Sequence, residues 1–204
     1  MPTQQNRSIE STTLRTHLCA NLRATDVGST VTVCGWVARR REHGEHLAFL
    51  DVRDYSGIVQ CVVDNAVDVR SEWVVQISGK VQPRPDGTVN KNLSTGEIEL
   101  SDCTITVLNA AEPPPFPIDA RADDVDENVR LKYRYLDIRR ERMQRNLRIR
   151  SKVNSAIRGA MEAQQFVEVE TPFLMPSTPE GAREFLVPSR KEPGSFYALP
   201  QSPQ

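Results

Sequence analysis

Residues 46–63, HLAFLDVRDYSGIVQCVV, read as two β-strands joined by a turn. HLAFLDVR, at 46–53, has the apolar residues Ala48, Leu50 and Val52 at alternate positions, and IVQCVV, at 58–63, is short and rich in β-branched residues. Three residues that favour turns stand between the two segments: Asp54, Ser56 and Gly57. Because side chains alternate along a strand, one side of the first strand is predicted to face a core and the other side to be exposed.

Similar strand patterns lie on both sides of this stretch. They are VTVCGWV at 31–37, WVVQISGKV at 73–81 and EIELSDCTITVL at 97–108, the last after a loop of turn formers at 83–96. Five short strands in succession fit a small closed barrel, and the oligonucleotide-binding (OB) barrel is one such fold. A meander or a sandwich would show much the same alternation, so the strand pattern leaves these alternatives open.

Other patterns indicate what surrounds the barrel. Residues 1–13 are polar and are predicted to form a disordered leader, and leucines at four-residue spacing predict a short amphipathic helix over about 14–23. The proline-rich stretch AAEPPPFPID, at 110–119, predicts a stiff spacer and a domain boundary.

A second domain is indicated beyond this spacer. Apolar residues at helical spacing predict a helix from about 140 to 164, and FVEVETP, at 166–172, reads as a strand that stops at Pro172. The remaining residues hold loop signals and one short apolar segment. One helix and one or two strands cannot bury a core alone, so the sequence is expected to stop partway through a domain.

The charged residues are unevenly distributed, although the net charge is only −1. Residues 119–129 carry five acidic residues and one arginine, whereas residues 130–158 carry eleven lysines and arginines and two acidic residues. The basic run is interpreted either as a solvated helix face or as a surface that meets phosphate. No apolar stretch approaches the length of a transmembrane helix, and the N-terminus lacks the apolar core of a signal peptide, so a cytoplasmic protein is expected.

The cysteines form no recognisable metal or disulfide pattern. The four are widely spaced, without a Cys-x-x-Cys pair or nearby histidines at ligand spacing: Cys19, Cys34, Cys61 and Cys103. We therefore expect no metal site and no disulfide framework, and we interpret these residues as small buried apolar side chains.

One predicted sheet face carries residues that suit RNA. Phe49 shares this face with Asp51 and Arg53, and an aromatic ring among charged residues suits base stacking. The run Arg39-Arg40-Arg41 could hold phosphates beside that ring, and Gln60 could donate to and accept from a base edge. An aromatic covered by a loop, a solubilising strand end and an ordinary surface glutamine are the alternative interpretations, and they stay open here.

Longer strings in the chain resemble one family. The strings are GWVARRREHG, AFLDVRDYSGIVQ, SGKVQPRPDG, LKYRYLDIRR, FVEVETPFLMPSTPEGAREFLVPSR and FYALPQSPQ. Together they are similar to the bacterial-type aspartyl-tRNA synthetases, which are class II enzymes, over residues 14–204. Related synthetases for lysine and asparagine share the architecture but have different strings at these places.

The resemblance implies an α+β chain. It begins with a five-stranded OB-fold β-barrel, followed by the start of a class II synthetase catalytic domain, which is built on an antiparallel sheet and is incomplete here. Together with the patterns above, it divides the chain into a leader at 1–13, an anticodon-binding barrel at 14–109, a linker and hinge at 110–129, and the beginning of the catalytic domain at 130–204.

The resemblance also implies roles for single residues. Four match positions that contact the anticodon: Arg39, Arg41, Phe49 and Gln60. Three match the L-aspartate pocket and its mobile loop: Glu180, Ser202 and Gln204. His43 and Gly87 match positions associated with members that accept both tRNA(Asp) and tRNA(Asn), and Pro172 ends the motif in the family's dimer interface. The loop after the arginines, HGEHLAF, has one residue more than the family's usual pattern.

The activity implied is ligation of L-aspartate to tRNA(Asp), with tRNA(Asn) favoured as a second substrate. Aspartate would react with ATP, in the presence of Mg²⁺, to give aspartyl-adenylate, and a homodimer would transfer the aspartyl group to tRNA. The family motifs that bind ATP and Mg²⁺ are absent from the chain, so we expect these 204 residues to be inactive alone. The alternative is a stand-alone OB-fold module that binds tRNA or single-stranded RNA without catalysis, and no membrane partner is expected.

Overall fold

The structure, a computed structural model, describes residues 14–64, 68–177 and 184–199. Within the chain, two compact units are separated between Pro117 and Ile118. The predicted leader lies outside the described residues.

The first unit is built on five strands that close into a barrel. Their bounds are β1 Thr30–His43, β2 Leu47–Arg53, β3 Ile58–Asp64, β4 Val74–Pro83 and β5 Ile98–Asn109. The order around the barrel is β1-β2-β3-β5-β4, with β4 paired back to β1. Every neighbouring pair is antiparallel except β3 and β5, which are parallel. The five-stranded barrel predicted from the sequence is therefore confirmed.

The barrel core follows the alternation of each strand. On β2, Ala48, Leu50 and Val52 are fully buried, whereas their neighbours Phe49 and Asp51 are half-buried on the opposite side. Inward residues of the other strands complete the core: Val31, Val33, Val37, Val59, Cys61, Val75, Ile77, Val81, Ile98 and Leu100. The two sides of β2 are thus divided as the sequence predicts.

A β-bulge interrupts the regular pairing of β1 with β2. Val37 lies opposite Val52, but the next paired residue, Arg39, lies opposite Asp51, so Ala38 is an extra residue on β1. Strict alternation from the buried Val37 would direct residues 39 and 41 toward the core. Because the bulge inserts one residue, the side chains beyond it change sides and join the face that carries Asp51.

The helix predicted over 14–23 is wrong. This segment contains one short 3₁₀ helix, Cys19–Asn21, and a second, Ala24–Asp26, follows it. The amide of Thr16 donates to the carbonyl of Thr32 at 2.9 Å, and the amide of Cys19 donates to the Asp54 carboxylate at 2.8 Å. In a helix over 14–23 the amide of Cys19 would have bonded to the Arg15 carbonyl, but it bonds to Asp54 instead, and the segment lies along the barrel.

The described residues of the second unit form three α-helices and a β-hairpin. They are α1 Glu127–Lys132, α2 Arg134–Asp137, α3 Glu141–Ala163, β6 Phe185–Pro188 and β7 Phe196–Leu199, after a 3₁₀ helix at Ala120–Asp124. Helix α3 confirms the helix predicted over 140–164. Strands β6 and β7 pair antiparallel, and Met175 forms a single bridge to Ala198. Among the described residues, no helix is long and apolar enough to cross a membrane.

The strand predicted over 166–172 does not form. Its alternating apolar side chains are exposed, with Val167 83% and Val169 72% accessible. The described part of the chain provides no neighbouring strand for it, and a strand is stable only when its backbone groups are paired. The strand pattern is present in the sequence, but among the residues that the structure describes no strand pairs with it.

Candidate nucleic-acid interface

One side of the barrel gathers polar and aromatic residues from all five strands, and we call it the outer face. Its members are Arg39, Arg41 and His43 on β1, Phe49 and Asp51 on β2, Gln60 on β3, Gln82 on β4 and Glu99 on β5. The cross-strand pairs Arg39–Asp51 and Arg41–Phe49 show that the β1 arginines reach this face beyond the bulge. The structure thus brings together four predicted anticodon residues, Arg39, Arg41, Phe49 and Gln60.

A chain of hydrogen bonds crosses the outer face. Arg41 Nη2 donates to Asp51 Oδ1 at 2.7 Å and to Gln60 Oε1 at 2.9 Å. Gln60 Nε2 in turn donates to Glu99 Oε2 at 2.8 Å, and Gln82 Nε2 donates to Glu99 Oε1 at 3.1 Å. The side-chain amide of Gln60 is bonded at both its oxygen and its nitrogen, and that of Gln82 donates to a carboxylate. The face therefore presents these polar groups in fixed orientations.

The aromatic residues of the outer face contact each other. The ring centroids of His43 and Phe49 are 5.8 Å apart, with an interplanar angle of 62°, an edge-to-face arrangement. Phe49 is half-buried and His43 is exposed. The residue predicted to discriminate between tRNAs therefore lies against the residue predicted to stack on a base.

Asp51 is a partly buried acid of this face, with its side chain 15% exposed. Burial raises the pKa of its carboxyl above the ordinary value, and the neighbouring guanidinium of Arg41 opposes this effect only in part. The positive charges of Arg84 and Arg39 also act on Asp51 to lower its pKa, by smaller amounts. The Asp51 carboxylate therefore has several cations around it, and burial disfavours its charged form.

Sequence reasoning missed three residues of this arrangement: Gln82, Arg84 and Glu99. Glu99 lies between the buried Ile98 and Leu100 on β5, so alternation along the predicted fifth strand could have found it. Arg84 gives no comparable signal, because it follows β4 in a loop of turn formers. Its amide donates to the Glu97 carbonyl at 2.9 Å and its Nε to the Ile98 carbonyl at 3.1 Å, which buries the side chain against β5.

Gly87 has a clear local role in the loop between β4 and β5. Its φ is +80°, and the Thr88 amide donates to the Pro85 carbonyl at 3.0 Å. A left-handed residue at the third position of such a turn favours glycine. Its predicted role in tRNA discrimination stays a prediction.

The remaining predicted site residues divide into two groups. Glu180, Ser202 and Gln204, predicted for the aspartate pocket, lie outside the described residues. Pro172 lies in the exposed stretch after α3, where the predicted strand does not form. Its role in a dimer interface stays a prediction.

Part of the basic run 130–158 is used inside the second unit. The Asp137 carboxylate is almost fully buried, pairs with Arg134, accepts from Arg140 Nε at 2.8 Å and lies 4.0 Å from Arg130 Nη1. Arg140 also donates to Asp123, and this hydrogen bond holds the pKa of that carboxyl below its ordinary value. These arginines therefore stabilise the local fold, whereas Arg145 and others on α3 are exposed.

Replacing Asp51 by asparagine should raise the free energy of unfolding at neutral pH. The native fold raises the pKa of Asp51 above the value of 3.8 for a free carboxyl, so the charged form is penalised in the folded protein. This penalty is absent below 3.8, grows as the pH rises toward the folded pKa and is complete above it. The advantage of Asp51→Asn should therefore disappear in acid, which urea denaturation at neutral and acidic pH measures.

The matched control for this prediction is Asp86→Asn, at an exposed position in the loop between β4 and β5. Asp86→Asn should leave the difference in the free energy of unfolding between neutral and acidic pH as it is in the wild type. If Asp51→Asn were less stable than the wild type at neutral pH, this would contradict a raised pKa of Asp51 in the folded protein.

Comparison with known proteins places this barrel and the second unit in families. The family model for an OB-fold nucleic acid binding domain matches residues 31–108, and the model for class II tRNA synthetases (D, K and N) matches residues 126–204. The predicted OB-fold barrel followed by the start of a class II catalytic domain is thereby confirmed.

Individual relatives agree with these matches. The aspartate–tRNA(Asp/Asn) ligase of Corynebacterium aurimucosum is 52% identical over 199 residues, which is 94% of this chain and 33% of the relative. That of Micrococcus luteus is 55% identical over 194 residues, 94% of this chain and 32% of the relative. The chain spans about a third of the length of these curated relatives.

Solved structures support the fold. A putative aspartyl-tRNA synthetase from Leishmania major covers 100% of this chain with a TM-score of 0.75 and 22% identity, and this chain spans 42% of it. Asparaginyl-tRNA synthetase from Pyrococcus horikoshii covers 91% with a TM-score of 0.74 and 24% identity, again over 42% of its own chain. With both family models and the curated relatives in agreement along the sequence, this chain carries an OB-fold nucleic acid binding domain and the start of a class II tRNA synthetase (D, K and N) domain, and it is similar to aspartate–tRNA ligases over 94% of its length.

Proposed function

We propose that the outer face binds the anticodon loop of tRNA, and that the protein to which these residues belong ligates L-aspartate to tRNA(Asp). The observation that carries this proposal is the convergence of Arg39, Arg41, Phe49 and Gln60 on one face of an OB barrel. An aromatic ring, an amide and cations within one surface supply stacking, base-edge hydrogen bonds and phosphate contacts together.

The network gives each group a distinct task. The Phe49 ring offers a stacking surface, with His43 against its edge. Gln60, held between Arg41 and Glu99, offers an amide whose orientation is set before RNA arrives, and preorganisation reduces the entropy lost on binding. Asp51 and Glu99 keep the face from being uniformly cationic, which disfavours RNA held by phosphate contacts alone.

We further propose that tRNA(Asn) is a second substrate. The anticodons of the two tRNAs differ in their last base, so a residue beside the stacking platform is well placed to influence that difference. His43 lies there, at 5.8 Å from the Phe49 ring. Two curated relatives are named as ligases for both tRNAs, which supports this extension.

The rest of the reaction follows from the family. L-aspartate would bind through Glu180, Ser202 and Gln204 and attack the α-phosphorus of ATP, which would give aspartyl-adenylate and release pyrophosphate. A tRNA hydroxyl would then take the aspartyl group and release AMP, in a homodimer, and Mg²⁺ would neutralise phosphate charge. In the part of the chain that the structure describes, no three His, Cys, Asp or Glu side chains are gathered to hold a metal ion, and we assign no magnesium step to these residues. The proposed division is a barrel at 14–109, a hinge at 110–129 and the start of the catalytic domain at 130–204.

Binding of RNA stem-loops to the 204-residue chain tests the anticodon proposal. We expect the loop with the aspartate anticodon and the loop with the asparagine anticodon to bind more tightly than a loop with an unrelated anticodon, measured by fluorescence anisotropy. Equal affinity for all three loops would contradict anticodon recognition and would favour a general single-strand binder.

The chain by itself is not expected to form aspartyl-adenylate. Adenylate formation depends on electrostatic stabilisation of phosphate charge, and the second and third class II motifs are absent from these residues. ATP–pyrophosphate exchange with the purified chain measures this, and exchange clearly above background would contradict the expectation.

A further inference from the structure

The bulge in β1 decides which residues the outer face can present. Val37 points into the core and is fully buried, and Arg39 and Arg41 reach the outer face only because Ala38 is inserted. Whatever holds the chain in the bulged register therefore also sets the positions of Arg39 and Arg41 relative to Phe49 and Asp51.

The segment just before β4 holds the bulge from one side. The amide of Val37 donates to the Trp73 carbonyl at 2.9 Å, and the amide of Glu72 donates to the Val37 carbonyl at 2.7 Å. These backbone bonds lie on the edge of β1 that faces β4, just beyond the point where the pairing of the two strands ends, at Trp36 and Val74. Both backbone groups of Val37 are thus fixed by residues 72 and 73.

Glu72 is itself held in an unusual conformation. Its φ is +64°, in the left-handed region that residues with a β-carbon seldom occupy. Its carboxylate oxygens accept from Arg53 Nη2 at 2.9 and 3.2 Å. The side chains of Arg53 and Glu72 are only 19% and 10% exposed, so water screens this ion pair weakly.

The ion pair spans β1 beside the bulge. Arg53 lies on β2 opposite Trp36, and Glu72 bonds to Val37 on the other edge of β1. The pair therefore joins the two flanks of β1 immediately before the extra residue, and it stabilises the left-handed conformation of Glu72.

We propose that Glu72 is a positioning residue for RNA binding, which clamps the β1 bulge through Arg53 and thereby sets Arg39 and Arg41 on the outer face. This inference rests on the proposed function of that face. Glu72 makes no contact with RNA in this proposal and acts through the β1 backbone.

The test compares affinities for a stem-loop with the aspartate anticodon, using the full 204-residue chain. Glu72→Gln removes the charge that holds Arg53 but keeps the size of the side chain. We expect its affinity to be about fivefold weaker, within the range of coupling seen in one hydrogen-bond network. The matched control is Asp68→Asn, which breaks the exposed Arg70–Asp68 pair in the same connector and should bind as the wild type does.

A double-mutant cycle separates positioning from general destabilisation. Because Glu72 acts through Arg39 and Arg41, Glu72→Gln should cost clearly less affinity in the Arg41→Gln background than in the wild type. Equal losses in the two backgrounds would overturn the inference, and so would wild-type binding by Glu72→Gln when Arg41→Gln binds weakly. If Arg41→Gln itself binds as the wild type does, the proposed function of the face fails.

A second variant covers the case in which Glu72→Gln does not fold, as judged by circular dichroism. Arg53→Lys keeps a positive charge but lacks the guanidinium that reaches both Glu72 oxygens. We expect a smaller loss of affinity that is again reduced in the Arg41→Gln background, and a loss of equal size in both backgrounds would overturn the proposal.

Discussion

Replacing Phe49 by alanine should weaken binding of the anticodon stem-loop by roughly 1–3 kcal/mol, or about five- to 150-fold, because this is the usual contribution of one base stacked on an aromatic side chain. The ring is half-buried on the outer face, with His43 at its edge. Arg41 and Asp51 lie beside it on neighbouring positions of β1 and β2. Fluorescence anisotropy with a labelled stem-loop measures the change.

Variants that keep the volume distinguish stacking from packing. Phe49→Tyr retains an aromatic face and should bind nearly as the wild type does, whereas Phe49→Leu keeps most of the apolar volume and should lose affinity as the alanine variant does. Phe173→Ala removes an exposed aromatic ring elsewhere, 75% accessible, and serves as the control. Unchanged affinity in Phe49→Ala would reject the stacking role.

Replacing Asp54 by alanine should lower the free energy of unfolding of the barrel by about 3 kcal/mol, because it leaves one buried donor and three partly buried donors without their acceptor. Asp54 is only 9% exposed. Its carboxylate accepts from the amides of Cys19 at 2.8 Å, Ser56 at 2.7 Å and Gly57 at 3.2 Å, and from the Ser56 hydroxyl at 2.5 Å. One side chain thus closes the β2–β3 turn and attaches the N-terminal segment to it.

Unfolding of this unit can be followed separately. Both tryptophans of the chain, Trp36 and Trp73, lie in the first unit, so their fluorescence during guanidinium denaturation reports on the barrel. Asp54→Asn keeps one acceptor oxygen and should cost less than Asp54→Ala.

The buried thiol of Cys19 gives a second readout, because release of the segment should make it react faster with a thiol reagent. A loss of less than about 0.5 kcal/mol in Asp54→Ala, the size of an ordinary surface change, would contradict this account.

The sequence was informative where structure depends on local periodicity. Period-two alternation predicted the β2 division between Leu50 inside and Phe49 outside, and 3.6-residue spacing predicted α3, because both patterns are set by backbone geometry within one element. The same alternation predicted a strand over 166–172 that does not form. A strand pattern shows that a segment is able to pair with another strand, and the strand forms only when a partner strand is present.

The N-terminal segment shows the reverse case. Leucine spacing predicted a helix, but Leu18 and Leu22 are buried along the barrel while Leu14 is 54% exposed. The deciding bonds come from Thr32, Ser56 and Asp54, which are distant in sequence. A spacing rule that considers one segment alone has no access to these partners.

The amino-acid sequence by itself determined the five strands of the barrel, helix α3 of the second unit and, through its longer strings, the resemblance to aspartyl-tRNA synthetases. Only the tertiary structure decided how the outer face is assembled. A single extra residue in β1 moves Arg39 and Arg41 to the side of Phe49, and Glu99 joins Gln60 to Gln82 across three strands. The physical reason is that side-chain direction within a regular strand follows from the local backbone, whereas a bulge and a hydrogen-bond network depend on partners supplied by distant segments.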